Sequence, residues 1–290
     1  MPIKEINGVR LHFHTNGKGT PLVFIHPPLL TSANFQYQLA QLSDEYQIIT
    51  FDIRGHGRSE ESRTPITYKL IAEDIIQLLD HLNIKQAIVC GYSTGGTVAL
   101  EAMLNYPDRF LGGVLISAMS EASDVLLRNR IRIAIGLSRW KSAIRILMLG
   151  ITWGNADSVQ TFRNLLNDTK NGNTRNIHQY YRYSLNYNCT KQLSKIKAPI
   201  LLLYGGKDSG FKRYSKKLLQ GLPHATLVTF SKEKHQLPTK AANEMSEAIR
   251  QWVHLLIRED LENTEEDNLA PEAYKIDPEM AESHQLRQLE

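Results

Sequence analysis

The chain has 290 residues, of which 42% are hydrophobic, and a formal net charge of +4. This length suits one large domain, or one domain with an insertion, and the apolar content excludes a disordered protein. No run approaches the roughly 18 uninterrupted apolar residues of a membrane span, and residues 1–6 lack the apolar region of a secretion signal. We therefore expect a cytoplasmic protein.

Charge is unevenly distributed along the chain. Residues 259–290 contain 11 acidic residues against Lys275 and Arg287, so this segment carries −9 and the rest of the chain +13. Because it also contains Pro271 and Pro278 and few large apolar residues, the segment is predicted to be a mostly disordered acidic tail. We expect this tail to fold back on the basic residues of the segment 125–154.

The chain contains two cysteines, Cys90 and Cys189. A disulfide between them is not expected in a reducing compartment. No spacing of cysteine and histidine resembles a metal site, so we expect no metal centre.

The first half of the chain alternates strands with helices. Two apolar segments flank Asn7-Gly8, which predicts a β-hairpin because a type I′ turn needs positive φ at both central residues. Further predicted elements are strands at residues 21–25 and 47–51 and a helix at residues 67–82. Such alternation predicts a parallel sheet with right-handed crossovers.

A serine stands between two glycines at the next junction of strand and helix. The apolar run 87–90 predicts a buried strand, and the pattern of residues 98–104 predicts a packed helix. Ser93 lies between them, flanked by Gly91 and Gly95. A nucleophilic serine held in a tight strand-to-helix turn needs small residues at these two positions.

The second half of the chain contains a long insertion. A strand is predicted at residues 111–117 and the next one at 199–204, with about 80 residues of helical pattern between them. An insertion of that length requires its own structure in a fold of short connections. The elements predicted after it are a helix at 211–222, a strand at 226–230 and a helix at 238–258.

Three features together resemble the α/β-hydrolase family over about residues 3–257: the turn at Ser93, the stretch 52–59, and Gly205-Gly206-Lys207-Asp208 followed by His235. The resemblance implies an α/β-hydrolase fold, with a mostly parallel central sheet flanked by helices and an inserted helical cap. The expected domains are a core of residues 1–117 and 198–258, a cap of residues 118–197, and the tail of residues 259–290. We expect the stretch 52–59 to be structural.

The family's catalytic residues occur in the order serine, acid, histidine, and this chain supplies Ser93, Asp208 and His235, each after a predicted strand. They would converge, because ligands bind beyond the carboxyl ends of parallel strands. Ser93 would form an acyl-enzyme, His235 would act as base and then acid, and Asp208 would orient it. Asp124 is the alternative acid.

The oxyanion hole departs from the family pattern. One donor is expected to be the N–H of Thr94, at the N-terminus of the helix after Ser93. Many relatives read His-Gly-x after the early strand, and the third residue donates the second N–H. Here proline replaces the glycine, and the third residue is Pro28, which has no N–H. We expect Leu29 to donate instead, with the side chain of Thr31 or Ser32 as an alternative.

The cap combines basic and apolar residues. Residues 125–154 contain six basic residues and no acid, interleaved with isoleucines, leucines and Trp140. This pattern predicts either a lid that covers an acyl pocket, or a basic amphipathic surface for weak contact with an anionic membrane. We expect Tyr92, Trp140, Tyr180 and Tyr183 to line the substrate pocket. Nucleic-acid binding is not expected, since no motif for it is recognisable.

The sequence thus predicts a serine hydrolase that acts on a small-molecule carboxylic ester, lactone or related acyl compound without a cofactor. Two alternatives stay open. The basic apolar cap suggests a lysophospholipase-like or monoacylglycerol-lipase-like activity, and Pro28 suggests a non-catalytic ligand-binding or signalling protein. The acyl chain, the leaving group and the oligomeric state do not follow from the sequence, because this fold hosts many activities.

Overall fold

Eight strands form a single sheet in the part of the chain that the structure describes. The structure, a computed structural model, describes residues 3–268, without the side chains of Lys141 and of residues 259–268. The strands are β1 (Ile3–Ile6), β2 (Val9–Asn16), β3 (Pro21–Ile25), β4 (Gln47–Phe51), β5 (Ala87–Tyr92), β6 (Phe110–Ile116), β7 (Ile200–Gly205) and β8 (Ala225–Phe230). Their spatial order is β1-β2-β4-β3-β5-β6-β7-β8.

Among these strands, β2 is antiparallel to both of its neighbours, β1 and β4. All other adjacent pairs are parallel. The hairpin prediction is confirmed, because Asn7 and Gly8 have φ values of 49° and 72° between β1 and β2. Every residue of β5 and of β7 is buried, as expected for central parallel strands that helices cover on both faces. The predicted fold class is confirmed.

Ten α-helices accompany the sheet in the described residues. They are α1 (Gln36–Gln41), α2 (Tyr68–His81), α3 (Thr94–Asn105), α4 (Val125–Leu137), α5 (Lys141–Asn155), α6 (Val159–Thr169), α7 (Thr174–Asn186), α8 (Lys212–Gly221), α9 (Leu237–Lys240) and α10 (Ala242–Asn268). None of them combines the length and the apolar character needed to cross a bilayer.

Four of these helices, α4 to α7, lie between β6 and β7, inside the segment that the sequence assigns to the cap. Helix α4 packs against α7, and α5 packs against α6. Their shared core contains Ile131, Ile144, Met148, Ile177 and Tyr181. The insertion therefore has an apolar core separate from that of the sheet.

The predicted end of the last helix is wrong. Residues up to Arg250 form one compact unit, and residues 251–268 belong to a second. Helix α10 continues to Asn268, so residues 259–268 of the predicted disordered tail are helical. The reason is that this acidic stretch contains neither proline nor glycine to stop the helix. The rest of the predicted tail, residues 269–290, lies outside the described residues, as does its expected contact with the cap.

The loop after β4 is tied to the loop after β3 through a buried aspartate. The Asp52 carboxylate accepts hydrogen bonds from the N–H (2.8 Å) and hydroxyl (2.7 Å) of Ser32, and from Nδ1 of His12 (2.9 Å). Burial alone would raise the pKa of Asp52, but hydrogen bonds, above all that from His12, hold it at about 2. Arg54 pairs separately with Asp74 (Nε–Oδ2, 2.6 Å). The carboxylate of Asp52 thereby anchors the loop that precedes α1.

Candidate active site

Ser93 lies in a strained turn between β5 and α3. Its backbone has φ 53° and ψ −118°, a sparsely populated region for a residue with a side chain. The turn requires glycine at positions 91 and 95. A Cβ on Gly91 would overlap the carbonyl oxygen of Gly95, and a Cβ on Gly95 would overlap the carbonyl oxygen of Ile25. The N–H of Ser93 donates to the carbonyl of Ile116 at 2.8 Å, which fixes the turn to β6. The predicted strand-to-helix turn is confirmed.

His235 and Asp208 reach Ser93 from the loops after β8 and β7. Nε2 of His235 lies 3.1 Å from the Ser93 hydroxyl oxygen, and Nδ1 lies 2.7 Å from a carboxylate oxygen of Asp208. A carboxylate accepts only, so Nδ1 carries the proton and donates. Nε2 is then free to accept the proton of the serine hydroxyl. The three predicted residues form one hydrogen-bonded chain.

Packing holds the ring of His235 in this orientation. The ring centroid lies 4.2 Å from that of Phe211 and 5.5 Å from that of Tyr92. The backbone carbonyl of His235 accepts a hydrogen bond from the Ser117 hydroxyl at 3.0 Å. Because ring and backbone are both held, the distance to Ser93 is set by the core rather than by a free side chain.

Asp124, the alternative acid, is used elsewhere. Its carboxylate accepts the N–H of Leu127 (2.8 Å), which caps α4, and the hydroxyl of Tyr214 (2.5 Å). Burial raises the pKa of Asp124, but these two hydrogen bonds outweigh it and hold the pKa below its ordinary value. Asp208 is the carboxylate that pairs with His235 in the described residues.

Two buried histidines, His26 and His56, lie in the loops after β3 and β4, and the sequence did not single them out. Burial lowers the pKa of His26, so its ring is neutral. Burial, together with the neighbouring His26, lowers the pKa of His56 to about 3, so this ring is neutral as well. Nε2 of His26 accepts the N–H of Ile53 at 2.9 Å, and Nδ1 faces the carbonyl of Pro27 at 2.9 Å. Both ring nitrogens of His26 are therefore occupied, and the histidine supports the loop.

The candidate oxyanion donors lie on two backbone segments. Thr94 begins α3 and lines the pocket, and the N–H of a first helical residue has no partner within its helix. Pro28 and Leu30 also line the pocket, whereas Leu29 does not; its side chain is buried beneath the cap helices. The backbone of Leu29 has φ 70°, and within residues 3–268 its N–H makes no hydrogen bond.

The two side-chain alternatives for the oxyanion hole are engaged in the loop itself. The hydroxyl oxygen of Thr31 accepts the N–H of Ala33 at 3.3 Å, and the hydroxyl of Ser32 donates to Asp52. Neither hydroxyl lines the pocket. The hydroxyl of Ser32 is thus committed to Asp52, whereas the backbone N–H of Leu29 has no partner in residues 3–268, so Leu29 is the stronger candidate donor.

A pocket of about 400 Å³ opens above Ser93, between the sheet and the cap. About half of the residues in its wall are aliphatic, and Arg130, Asn155, Ser184 and Gln236 are polar members besides Ser93, Thr94 and His235. Its apolar wall comes mainly from α4 and α5 and comprises Leu30, Met119, Leu127, Ile131, Ile133, Ala134, Leu147 and Ile151. On α4, Leu127, Ile131 and Ala134 recur every three or four residues, a stripe that helical periodicity could have indicated.

Of the four predicted pocket residues, only Tyr92 lines this pocket. Its hydroxyl donates to Oδ1 of Asn155, at the end of α5, at 2.9 Å. The other predictions are wrong: Trp140 precedes α5 and is 69% exposed, Tyr180 is fully buried against His56, and Tyr183 packs on Tyr68.

Helix α7 turns a different face to the pocket than the sequence suggested. Tyr181 and Ser184, three residues apart, line the pocket, while Tyr180 and Tyr183 face the core of the sheet domain. Neighbouring residues on a helix point about 100° apart, so a shift of one residue exchanges pocket for core. The tyrosine cluster alone could not indicate which face the sheet would cover.

Fold and geometry together define an α/β-hydrolase. The family model described as "alpha/beta hydrolase fold" matches residues 20–238, and the chain belongs to this family. It is similar to the "uncharacterized hydrolase YugF" of Bacillus subtilis, 27% identical over 274 residues, which cover 87% of this chain and 98% of that protein.

Two further relatives carry names that state an activity. "3-oxoadipate enol-lactonase 2" of Acinetobacter baylyi is 28% identical over 207 residues, covering 69% of this chain and 76% of the relative. A solved esterase from Exiguobacterium antarcticum superposes with a TM-score of 0.77 at 20% identity, covering 87% of this chain and 98% of the esterase. The homologues thus include hydrolases, and the esterase shares the fold.

Proposed function

We propose that this protein is a serine hydrolase that cleaves a carboxylic ester, lactone or related acyl compound through an acyl-enzyme at Ser93. The observation that carries the proposal is the continuous hydrogen-bonded chain from Ser93 through His235 to Asp208 at the floor of an apolar pocket. The enol-lactonase name of one relative supports acyl chemistry. A cytoplasmic location is part of the proposal and fits the two buried, unpaired cysteines, Cys90 and Cys189.

The reaction follows from the positions of the three side chains. The Ser93 oxygen attacks the acyl carbon while its proton moves to Nε2 of His235, and Asp208 stabilises the imidazolium through Nδ1–H. His235 returns the proton to the departing alkoxide oxygen. Water then attacks the acyl-enzyme with His235 as base, which releases the acid and restores the serine.

The pocket suggests which part of the substrate it holds. Its wall of aliphatic side chains from the cap suits an apolar acyl chain, and each methylene that it buries contributes about 0.8 kcal/mol. We propose that turnover rises from acetyl esters to medium-length acyl esters and falls once the chain outgrows the pocket.

A fluorophosphonate probe tests the nucleophile directly. The native protein should be labelled, and Ser93→Ala should lose both labelling and about 10⁴-fold or more of its p-nitrophenyl ester turnover, because it removes the hydroxyl that contacts His235. Ser231→Ala, at an exposed serine in the loop after β8, should keep both. Persistent labelling of Ser93→Ala would place the nucleophile elsewhere. A folded native protein that neither labels nor turns over any ester would favour the ligand-binding alternative.

For the oxyanion hole, we propose the backbone N–H groups of Thr94 and Leu29. Proline at position 29 cannot test this, because its φ is fixed near −65° and Leu29 has φ 70°. Exchanging the Leu29 amide for an ester, with the α-hydroxy acid of leucine, removes the N–H and keeps the side chain. It should lower kcat by about 10² to 10³, with little change in KM. The same exchange at Ala33 should leave kcat unchanged; equal losses at both positions would disprove the role of Leu29.

A further inference from the structure

The cap exposes an unusual number of large apolar side chains. Among the described residues outside 125–159, exposed large hydrophobic side chains are scattered, as Ile3 and Leu219 are. Isolated cases of this kind are normal, whereas a cluster indicates an interaction surface. We call the exposed large apolar residues on α4, α5 and the turn between them the apolar face; its members, 48% to 72% exposed, are Val125, Leu126, Ile133, Trp140, Ile146, Leu149 and Trp153.

Helix α5 is apolar on more sides than its packing in the protein requires. Ile144 and Met148 are buried in the core of the cap, and Leu147 and Ile151 line the pocket. A helix that packs on one side of a water-soluble domain ordinarily carries polar residues on the opposite side. In α5 the opposite side holds Ile146, Leu149 and Trp153 instead. Trp153 contacts the ring of Phe162 on α6, and the exposed area of the three side chains is available for a second apolar contact.

Helices α4 and α5 and the turn between them carry charge of one sign. Residues 125–155 contain six basic residues and no acid. Arg130, Arg132, Arg139 and Arg145 are exposed, and no carboxylate in the described part of the chain pairs with any of them. A second copy of this chain would bring the same positive charge to the contact. An anionic surface is complementary to it.

The pocket opens on this same face. Arg130 and Ile133 both line the pocket and are exposed, so they stand at its mouth. Ser93 lines the same pocket, together with the aliphatic wall. A molecule that leaves an apolar phase at the mouth would reach the serine without crossing water.

We propose that the apolar face docks on a lipid bilayer with anionic headgroups. Its aliphatic and tryptophan side chains enter the boundary between headgroups and acyl chains, and the arginines pair with headgroup phosphates. The pocket then takes its ester from the membrane; this last step rests on the proposed function, whereas docking does not require Ser93.

Vesicle co-sedimentation of the full chain carrying Ser93→Ala tests docking without hydrolysis. Binding to vesicles of three parts phosphatidylcholine and one part phosphatidylglycerol should exceed binding to phosphatidylcholine alone by about tenfold and should fall with added salt. Two double variants, Ile146→Ser with Trp153→Ser and Arg132→Glu with Arg145→Glu, should each lose about tenfold of the binding.

Variants on α8 serve as controls, because they remove an exposed leucine or reverse two exposed positive charges outside the apolar face. Leu219→Ser and the pair Lys212→Glu with Lys216→Glu should bind as the parent does. With Ser93 restored, the cap variants should turn over a water-soluble ester at the native rate. Vesicle binding without ester turnover would refute the hydrolase proposal and leave docking intact.

Three results would overturn docking: no binding to either vesicle, equal binding to both, or equal loss of binding in the α8 controls. A native dimer that the Ile146→Ser and Trp153→Ser variant makes monomeric, without vesicle binding, would assign the face to a second copy of the chain.

Discussion

Replacing Asp208 by asparagine should lower kcat for p-nitrophenyl esters by about 10⁴-fold without unfolding the protein. The carboxylate accepts the Nδ1–H of His235 at 2.7 Å, which fixes the tautomer in which Nε2 can take the serine proton. An amide offers its NH₂ to Nδ1 and so favours the opposite tautomer. The side chain keeps its shape, so circular dichroism and the melting temperature should change little.

Asp124→Asn is the matched control for this result. The two aspartates follow neighbouring strands, but Asp124 caps α4 and binds Tyr214. Its replacement should leave kcat within a few-fold and the free energy of unfolding almost unchanged, because asparagine caps a helix about as well as aspartate and its amide oxygen can still accept from Leu127 and Tyr214. A large loss of kcat in Asp124→Asn, together with near-native kcat in Asp208→Asn, would reverse the assignment of the acid.

Gly95→Ala should lower the free energy of unfolding by about 3 kcal/mol or more and abolish ester turnover. The added methyl group would overlap the backbone carbonyl of Ile25. That carbonyl belongs to β3, which is paired with β4 and β5, so it cannot move without disturbing the centre of the sheet. Urea unfolding followed by circular dichroism measures the loss, and turnover is measured in the same preparation.

Gly150→Ala supplies the contrast. Gly150 lies in the interior of α5, and a Cβ there would meet nothing within 4 Å. Alanine at this position should raise the free energy of unfolding by about 0.5 to 1 kcal/mol, because it favours the helix. If Gly95→Ala unfolded at the same urea concentration as the native protein, the close crossing of α3 and β3 would be refuted.

How much the sequence predicts depends on what fixes each side chain. Ser93, Asp208 and His235 follow strands, and the carboxyl ends of parallel strands meet at one edge, so local pattern and sheet topology suffice to bring them together. Asn7 and Gly8 of the first hairpin likewise determine their turn through their own tolerance of positive φ. The places of these residues can therefore be predicted without knowing how the cap packs.

The pocket depends instead on how the cap helices pack. Tyr180 and Tyr181 are chemically alike and adjacent, yet one is in the core of the sheet domain and the other faces the pocket. That choice is made by the angle at which α7 lies on its neighbours. The end of α10 is difficult for a related reason, because an acidic composition typical of disorder is equally compatible with a continuing helix.

Leu29 couples the loop after β3, which carries the proposed oxyanion donor, to the cap. A leucine with φ 70° stores strain on the order of 1 to 3 kcal/mol, and its side chain is held in the cluster that α4, α5 and α7 form. That cluster opposes relaxation of the backbone that carries the proposed donor N–H. The cap is therefore not an interchangeable module: a change of cap that redesigned the pocket would also release this loop, so preference and rate cannot be engineered separately.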